Sequence, residues 1–277
     1  MGVINTMYGR IIYADQRVYI AGNLLSGITS FKGDYQIPYE NIDSLGNLDT
    51  NQFITKELNR NISFSRYIVG TDPLLSLTGD VGVGGSVIYK NRVNPNFVNF
   101  GFNSGYLTSY KVSAAVGQLT KVDTDFVVYN GIGGNISGSE SIIDTPIPFN
   151  PSTASQISLN ATESRTNRIM SFDYSIQCRR MPQYIMGSFN PKYVVLKKPL
   201  PILVNFTLEI DDYMCNDIQT LICSPYRQNL TIDLNDCGGN DTIQSYSINN
   251  AILINNSFNS SLTENADVKL TYQGYII

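Results

Sequence analysis

Four short words recur along this chain in the same order, and a chain that repeats itself has to be read as two units before it is read as one. Ile28-Thr29-Ser30-Phe31, followed by Gln36 and Gly46, matches Ile169-Met170-Ser171-Phe172, followed by Gln177 and Gly187, at a constant offset of 141 residues. Pro73-Leu74 opens a strand pair ending in SVIYKN (86–91), and Pro199-Leu200 opens PILVNFTLEIDDY (201–213), at an offset of 126. LTSYKV (107–112) pairs with IQSYSI (243–248) at 136, and VVYNG (127–131) with LTYQG (270–274) at 143. Collinear matches with a drifting offset are what loop insertions and deletions in a duplicated domain produce. Between the copies, GIGGNISGSESIIDTPIPFNPSTASQ (131–156) is dense in Gly, Ser and Pro and reads as a linker. The expected domains are residues 1–145 and, as an internal duplicate, 146–277.

Within each copy the apolar period is two. YKVSAAVG (110–117), KVDTDFVVY (121–129), VLKKPLPILVNFTLEI (195–210) and DVKLTYQGYI (267–276) alternate apolar and polar residues, the pattern of strands with one buried face. The 18 Tyr and 12 Phe sit among Ile, Val and Thr, side chains that suit a pleated, half-buried surface. Short helices are expected at PYENIDSLG (38–46) and DTNQFITKEL (49–58), the second capped by Asp49 or Thr50. The fold class is therefore all-β with one or two short helices, and 277 residues can bury a core without disulfide or metal staples.

The residues that commonly carry catalysis are missing. The chain has no histidine, which removes the most frequent general base together with serine–histidine and cysteine–histidine nucleophile pairs. Paired carboxylates occur at Asp211-Asp212, Asp123/Asp125 and Asp236/Asp241. Asp123 and Asp125 are two residues apart, hence on one strand face, and read as a solvated outer face. Asp211-Asp212 ends a strand and reads as a turn.

DLNDCGG (233–239) echoes a calcium loop through Asp233, Asn235 and Gly238, but Cys237 and Gln244 stand where hard oxygen donors are needed. GDVGVGGS (79–86) fails dinucleotide spacing because Val87 stands where the third glycine belongs, and reads as a turn between strands. The four cysteines (Cys178, Cys215, Cys223, Cys237) have no repeated spacing and read as buried thiols. No catalytic, cofactor-binding or metal-binding residue is assigned, and an enzyme is not expected.

A formal charge of −4, with no basic stripe, argues against tight nucleic-acid binding; a mildly acidic surface would let DNA pass without sticking. Charged residues make up 15% of the chain against about 25% typically, which suits a surface partly covered by partners. MGVINTMYGRIIYADQ lacks the apolar segment of a signal peptide and no stretch reaches the roughly 18 apolar residues of a membrane span, so cytoplasmic synthesis and no membrane association are expected. The sequons at Asn61, Asn135, Asn160, Asn205, Asn229 and Asn240 are then chance occurrences in an Asn-, Ser- and Thr-rich chain.

Three stretches, SGITSFKGDYQIPYENIDSLG (26–46), SFDYSIQCRRMPQYIMGSFNPKYVVLKKPLPILVNFTLEIDDY (171–213) and DTIQSYSINNAILINNSFNSSLTENADVKLTYQGYI (241–276), resemble those of tail tube and related virion proteins of long-tailed bacteriophages. The resemblance implies β-sandwich or rolled-sheet domains that contribute strands to a ring-shaped β-barrel around a DNA channel. It implies a virion tail protein, with itself, sheath, tape measure or terminator proteins and passing DNA as partners. A two-domain chain would close a ring as a trimer, or as a hexamer carrying an added outer domain. The resemblance assigns no lumen-lining residues. The alternative is a virion adaptor, decoration or fibre/adhesin β-domain that grips a host-surface or virion partner through Tyr-rich loops such as FNSGYLTSY (102–110).

Overall fold

In a computed structural model the described residues are 16–41, 53–55, 58–90, 97–134, 136, 156–161, 165–166, 169–209, 227–235, 241–260 and 266–276. Their regular structure is almost entirely β-strand, the exception being one 3-10 helix, Pro73–Thr78, N-capped by Asp72. Alternation builds the strands as expected: in Lys121–Val128, Val122, Thr124, Phe126 and Val128 are buried while their neighbours face outward.

The first half supplies β1 (Gln16–Ile20), β2 (Asn23–Leu25), β3 (Ile28–Gln36), β4 (Tyr39–Asn41), β5 (Phe53–Thr55), β6 (Asn59–Tyr67), β7 (Val83–Lys90), β8 (Phe97–Ala115), β9 (Lys121–Val128) and the short β10 (Ile132–Gly134). The second supplies β11 (Gln156–Ala161), β12 (Arg165–Thr166), β13 (Ile169–Gln177), β14 (Arg180–Gln183), β15 (Tyr193–Leu196), β16 (Leu200–Glu209), β17 (Gln228–Asn235), β18 (Thr242–Asn259) and β19 (Asp267–Ile276). All pairings are antiparallel, and a 15-stranded sheet runs through both halves, with β4–β5 and β14–β15 as separate hairpins.

The same order of pairings is met twice. In the first half β3 pairs with β6, β6 with β9, β9 with β8, β8 with β7, β7 with β1 and β1 with β2. In the second, β13, β16, β19, β18, β17, β11 and β12 follow one another in that order. Each half also carries its hairpin after the leading strand. Irregularities coincide as well: β3 bulges between Ile28 and Ser30 and β13 between Ile169 and Ser171. β8 bulges between Leu107 and Ser109, and β18 between Leu253 and Asn255.

Where β7 and β17 meet their long partners, the register slips again, and there Ser104 (φ 56°) and Asn250 (φ 55°) adopt the left-handed conformation. That conformation costs an ordinary L-residue about 1–2 kcal/mol, so two halves sharing it share a specific bend. The separation of corresponding positions grows steadily: 141 residues from Ile28 to Ile169, 142 from Phe64 to Phe206, 145 from Val83 to Gln228 and 146 from Ser104 to Asn250.

Beyond these bends the long strands turn their opening segments over the rest of their half. Phe102 of β8 lies 6.2 Å from Phe126 of β9, and Tyr246 of β18 lies 4.8 Å from Tyr174 of β13, ring centre to ring centre. The buried side chains form one core spanning both halves.

These registers correct the sequence reading in several places. The 28–31/169–172 match is a true correspondence of position, but the other three word pairs are not. Pro73-Leu74 enters the 3-10 helix whereas Leu200 begins β16. Residues 107–112 lie in the closing part of β8, and 243–248 in the opening part of β18. Val127 corresponds to Gln273, not Leu270, because Ile62 and Val204, the residues paired with Phe126 and Tyr272, set the register. Short words of Ser, Tyr and Gly recur in any strand-rich chain; bulges do not.

The helices expected at 38–46 and 49–58 are not found where residues are described. Tyr39–Asn41 and Phe53–Thr55 pair as a hairpin, in keeping with the strand preference of Phe-Ile-Thr. Residues 42–52, 56 and 57 lie outside the described residues. The glycine-rich stretch is a turn at 79–82, but Gly84, Gly85 and Ser86 continue into β7. Of the linker, Ile132–Gly134 adds a short strand to β8, and 137–155 lies outside the described residues.

Candidate assembly surface

The place where the halves join is a strand pair. β8 and β13 run antiparallel, from Ser109 opposite Gln177 to Ala115 opposite Ser171. Their inward residues, Tyr110, Val112 and Ala114 from one strand and Phe172, Tyr174 and Ile176 from the other, are all buried. The leading strand of the second half thus lies along the long strand of the first.

A buried polar cluster lies beside this junction. Asp72, with its side chain 0% exposed, forms an ion pair with Arg66, accepts 2.9 Å from the Leu74 amide and accepts 2.8 Å from the Tyr110 hydroxyl. Its own amide donates 2.8 Å to Gln244 Oε1 of β18, and the Tyr110 and Tyr246 hydroxyls are 3.4 Å apart. Burial pushes the Tyr110 phenol well up, with the Tyr246 and Asp72 charges adding to it, so it stays protonated and donates. Burial also raises Tyr246. The cluster ties the turn after β6 to the opening segment of β18. Sequence reading missed it, although Tyr110 and Tyr246 were aligned as counterparts; they are contact partners instead.

A second tie lies beyond it. Arg180 of β14 donates 2.9 Å to the Leu107 carbonyl and 2.7 Å to that of Gly79, and stands 5.5 Å over the Tyr106 ring. The Leu196 amide of β15 donates 2.8 Å to Asp80.

The outer ends of the sheet stand in contrast. Among the described residues β3 pairs with β6 alone, and the closing part of β18, from Ile252, with β19 alone. On β3, Phe31 is half-buried and Tyr35 is 48% exposed, where the corresponding Phe172 and Ile176 of β13 are 1% and 0% exposed. On β18, Phe258 is 63% exposed where the corresponding Val112 of β8 is 0% exposed. A cleft of about 380 Å³ opens beside β3, lined by Gly33, Tyr35, Arg60, Phe100, Gly131 and Ile132.

Of the carboxylate pairs singled out from sequence, Asp123/Asp125 alone lies wholly within the described residues. Asp123 and Asp125 share one face of β9 as the alternation predicts. Burial pushes Asp123 up, but hydrogen bonds from Ser65 and Lys121 and the charges of Lys121 and Lys111 outweigh it and hold the group below the usual range. Burial and then the Asp123 charge raise Asp125. Asp233 and Asn235 lie on β17, with Asp233 accepting from Ser245 and Asn235 from Thr242; 236–240 lies outside the described residues, as do Asp211 and Asp212.

Cys178 is a free buried thiol whose pKa burial raises, which leaves it a poor nucleophile. Cys215, Cys223 and Cys237 lie outside the described residues. Among the described residues no group of three potential ligands could hold a metal ion, and no helix is long and apolar enough to cross a membrane. Of the sequons, Asn61, Asn160, Asn205 and Asn229 lie within strands.

The chain matches no protein-family model, and no curated protein is significantly similar to it.

Proposed function

We propose that this protein is a structural virion component, a ring-forming subunit of the tail tube of a long-tailed bacteriophage, through whose channel DNA passes during ejection. One observation carries the reading. An antiparallel run of eight strands, β3-β6-β9-β8-β13-β16-β19-β18, is joined at its centre by a half-to-half strand pair and ends in two edges of different character that no described strand covers. Exposed edges are a liability that folded proteins cover or blunt, and ring closure consumes them.

On this reading the two halves are copies of one tube-type domain, and their shared strand order, bulges and left-handed residues support it. The tip of the β14–β15 hairpin exposes Ile185, Met186 and Phe189, an apolar cluster suited to the next ring along the axis or to another tail protein. A net charge of −4 suits a conduit that does not hold its cargo.

Negative-stain electron microscopy of the purified protein, with light scattering alongside, tests the reading. Rings or stacked tubes with a central channel of about 20 Å or more, wider than the roughly 12 Å major groove of the duplex that must pass, are expected. Monodisperse particles without a channel at every concentration and salt would refute it and favour the adhesin or adaptor reading.

A further inference from the structure

The chain contains one worked example of how its halves join, and the free edges stand at the two places where that join would next recur. We propose that β3 of one copy pairs antiparallel with the closing part of β18 of a second copy, in the register that β8 and β13 already use within the chain. This rests on the ring-forming reading above and specifies its partner, a second copy of this chain, and the contact.

The register follows from the correspondences. Residues of β13 map onto β3 at a separation of 141, and residues of β8 onto β18 at 146. Ser171 opposite Ala115 and Gln177 opposite Ser109 therefore become Ser30 opposite residue 261 and Gln36 opposite Asn255. Between them, Lys32 meets Asn259, Gly33 meets Phe258, Asp34 meets Ser257 and Tyr35 meets Asn256.

An independent feature fits this register. At Gly33 an added Cβ would come within 2.9 Å of the Phe100 ring, so the position is held bare, and it lines the cleft beside β3. Its counterpart Tyr174 is a large residue facing the smaller Val112; at the free edges the sizes are reversed, a glycine facing the exposed Phe258. A cross-strand aromatic covering a bare glycine is a favourable complement in a sheet. Phe31, Tyr35 and Phe258, exposed or half-exposed in one copy, would all be covered.

The two edges are different surfaces, so the contact is head-to-tail and each copy offers one of each. Repetition of the contact gives a closed ring or an open filament.

The test mixes variants of the full chain, each carrying one added cysteine, under a short bifunctional thiol reagent, with wild-type protein and its native cysteines as the background control. Asp34→Cys mixed with Ser257→Cys, and Gln36→Cys mixed with Asn255→Cys, should give covalent dimers that neither variant gives alone. Asp34→Cys mixed with Asn255→Cys, two residues out of register, should give at least fivefold less. Phe258→Ser, a change at an exposed side chain, should raise the concentration needed for assembly at least tenfold while the circular dichroism spectrum is unchanged.

Rings in the microscope without in-register cross-links would overturn this contact and leave the tube reading standing. Cross-links in register on open filaments would uphold the contact and overturn the ring. Neither rings nor cross-links would overturn both.

Discussion

The two halves of this molecule share a strand order and three corresponding bulges, yet β13 of one is buried and β3 of the other is exposed. β13 is covered because β8 of the same chain pairs along it; among the described residues β3 pairs with β6 alone. The difference lies in the residues too: Phe172, Tyr174 and Ile176 of the covered strand correspond to Phe31, Gly33 and Tyr35 of the free one. Position in the chain, rather than the strand order of each half, decides which of these two edges is covered internally.

The largest effect that would break this comparison concerns the cluster binding the halves together. Asp72→Ala leaves the buried Arg66 without its counter-charge and uncaps the 3-10 helix, and should cost about 3–5 kcal/mol in urea unfolding. Asp123→Ala, which removes a partly exposed ion pair with Lys121, should cost under about 1 kcal/mol. Equal losses would mean that the junction cluster has no special weight.

Next come corresponding aromatics on the covered and free strands. Phe172→Ala should cost about 3–5 kcal/mol in the unassembled protein, and Phe31→Ala, half-buried against Phe64, roughly half of that. In the assembled protein the gap should narrow, because Phe31 is then covered as well. A gap that stays the same in both states would show that β3 gains no neighbour.

The bulges sharpen the comparison on a smaller scale. Ser104→Gly should stabilise by about 0.5–1 kcal/mol by relieving the left-handed strain, and Asn250→Gly by less, since Asn tolerates that conformation better. Opposite signs at the two positions would contradict a shared bend.

How much of this was legible beforehand differs by level. Period-two alternation located β9 and β19, because each buries one face against the core and the pattern of Val122, Phe126 and Val128 or of Val268, Leu270 and Tyr272 follows directly. The Ile28/Ile169 correspondence was legible since bulge and strand lie in one uninterrupted word. The remaining correspondences were not, because Phe64 and Phe206, or Leu107 and Leu253, keep their places through pairing partners rather than through neighbouring letters. The Arg66–Asp72–Tyr110 cluster was hidden for the same reason: Arg66 and Asp72 lie near each other in sequence, but Tyr110 joins from 38 residues away and Gln244 reaches Asp72 across 172.

The smallest effect is a pH dependence within β9. Asp125 has a folded-state pKa raised above its unfolded value, so the contribution of this group to stability is full at low pH and is lost as pH rises through the folded value. Asp123 is depressed; its contribution is present above the unfolded value and lost as pH falls through the folded one. Asp125→Asn should therefore stabilise the protein slightly at neutral pH, with the gain vanishing below about pH 4, near the unperturbed carboxylate range. A gain that grows on acidification would reverse the assignment of the two carboxylates.

The measurement that tests the central claim most directly is a cryo-electron microscopy average of the assembled particle combined with its mass from light scattering. If both halves enter one continuous wall through equivalent strand pairs, the wall shows two repeats for every chain, so that a trimer displays six. One repeat per chain, with the second half set outside the ring, would contradict the equivalence of the covered and free edges on which the account is built.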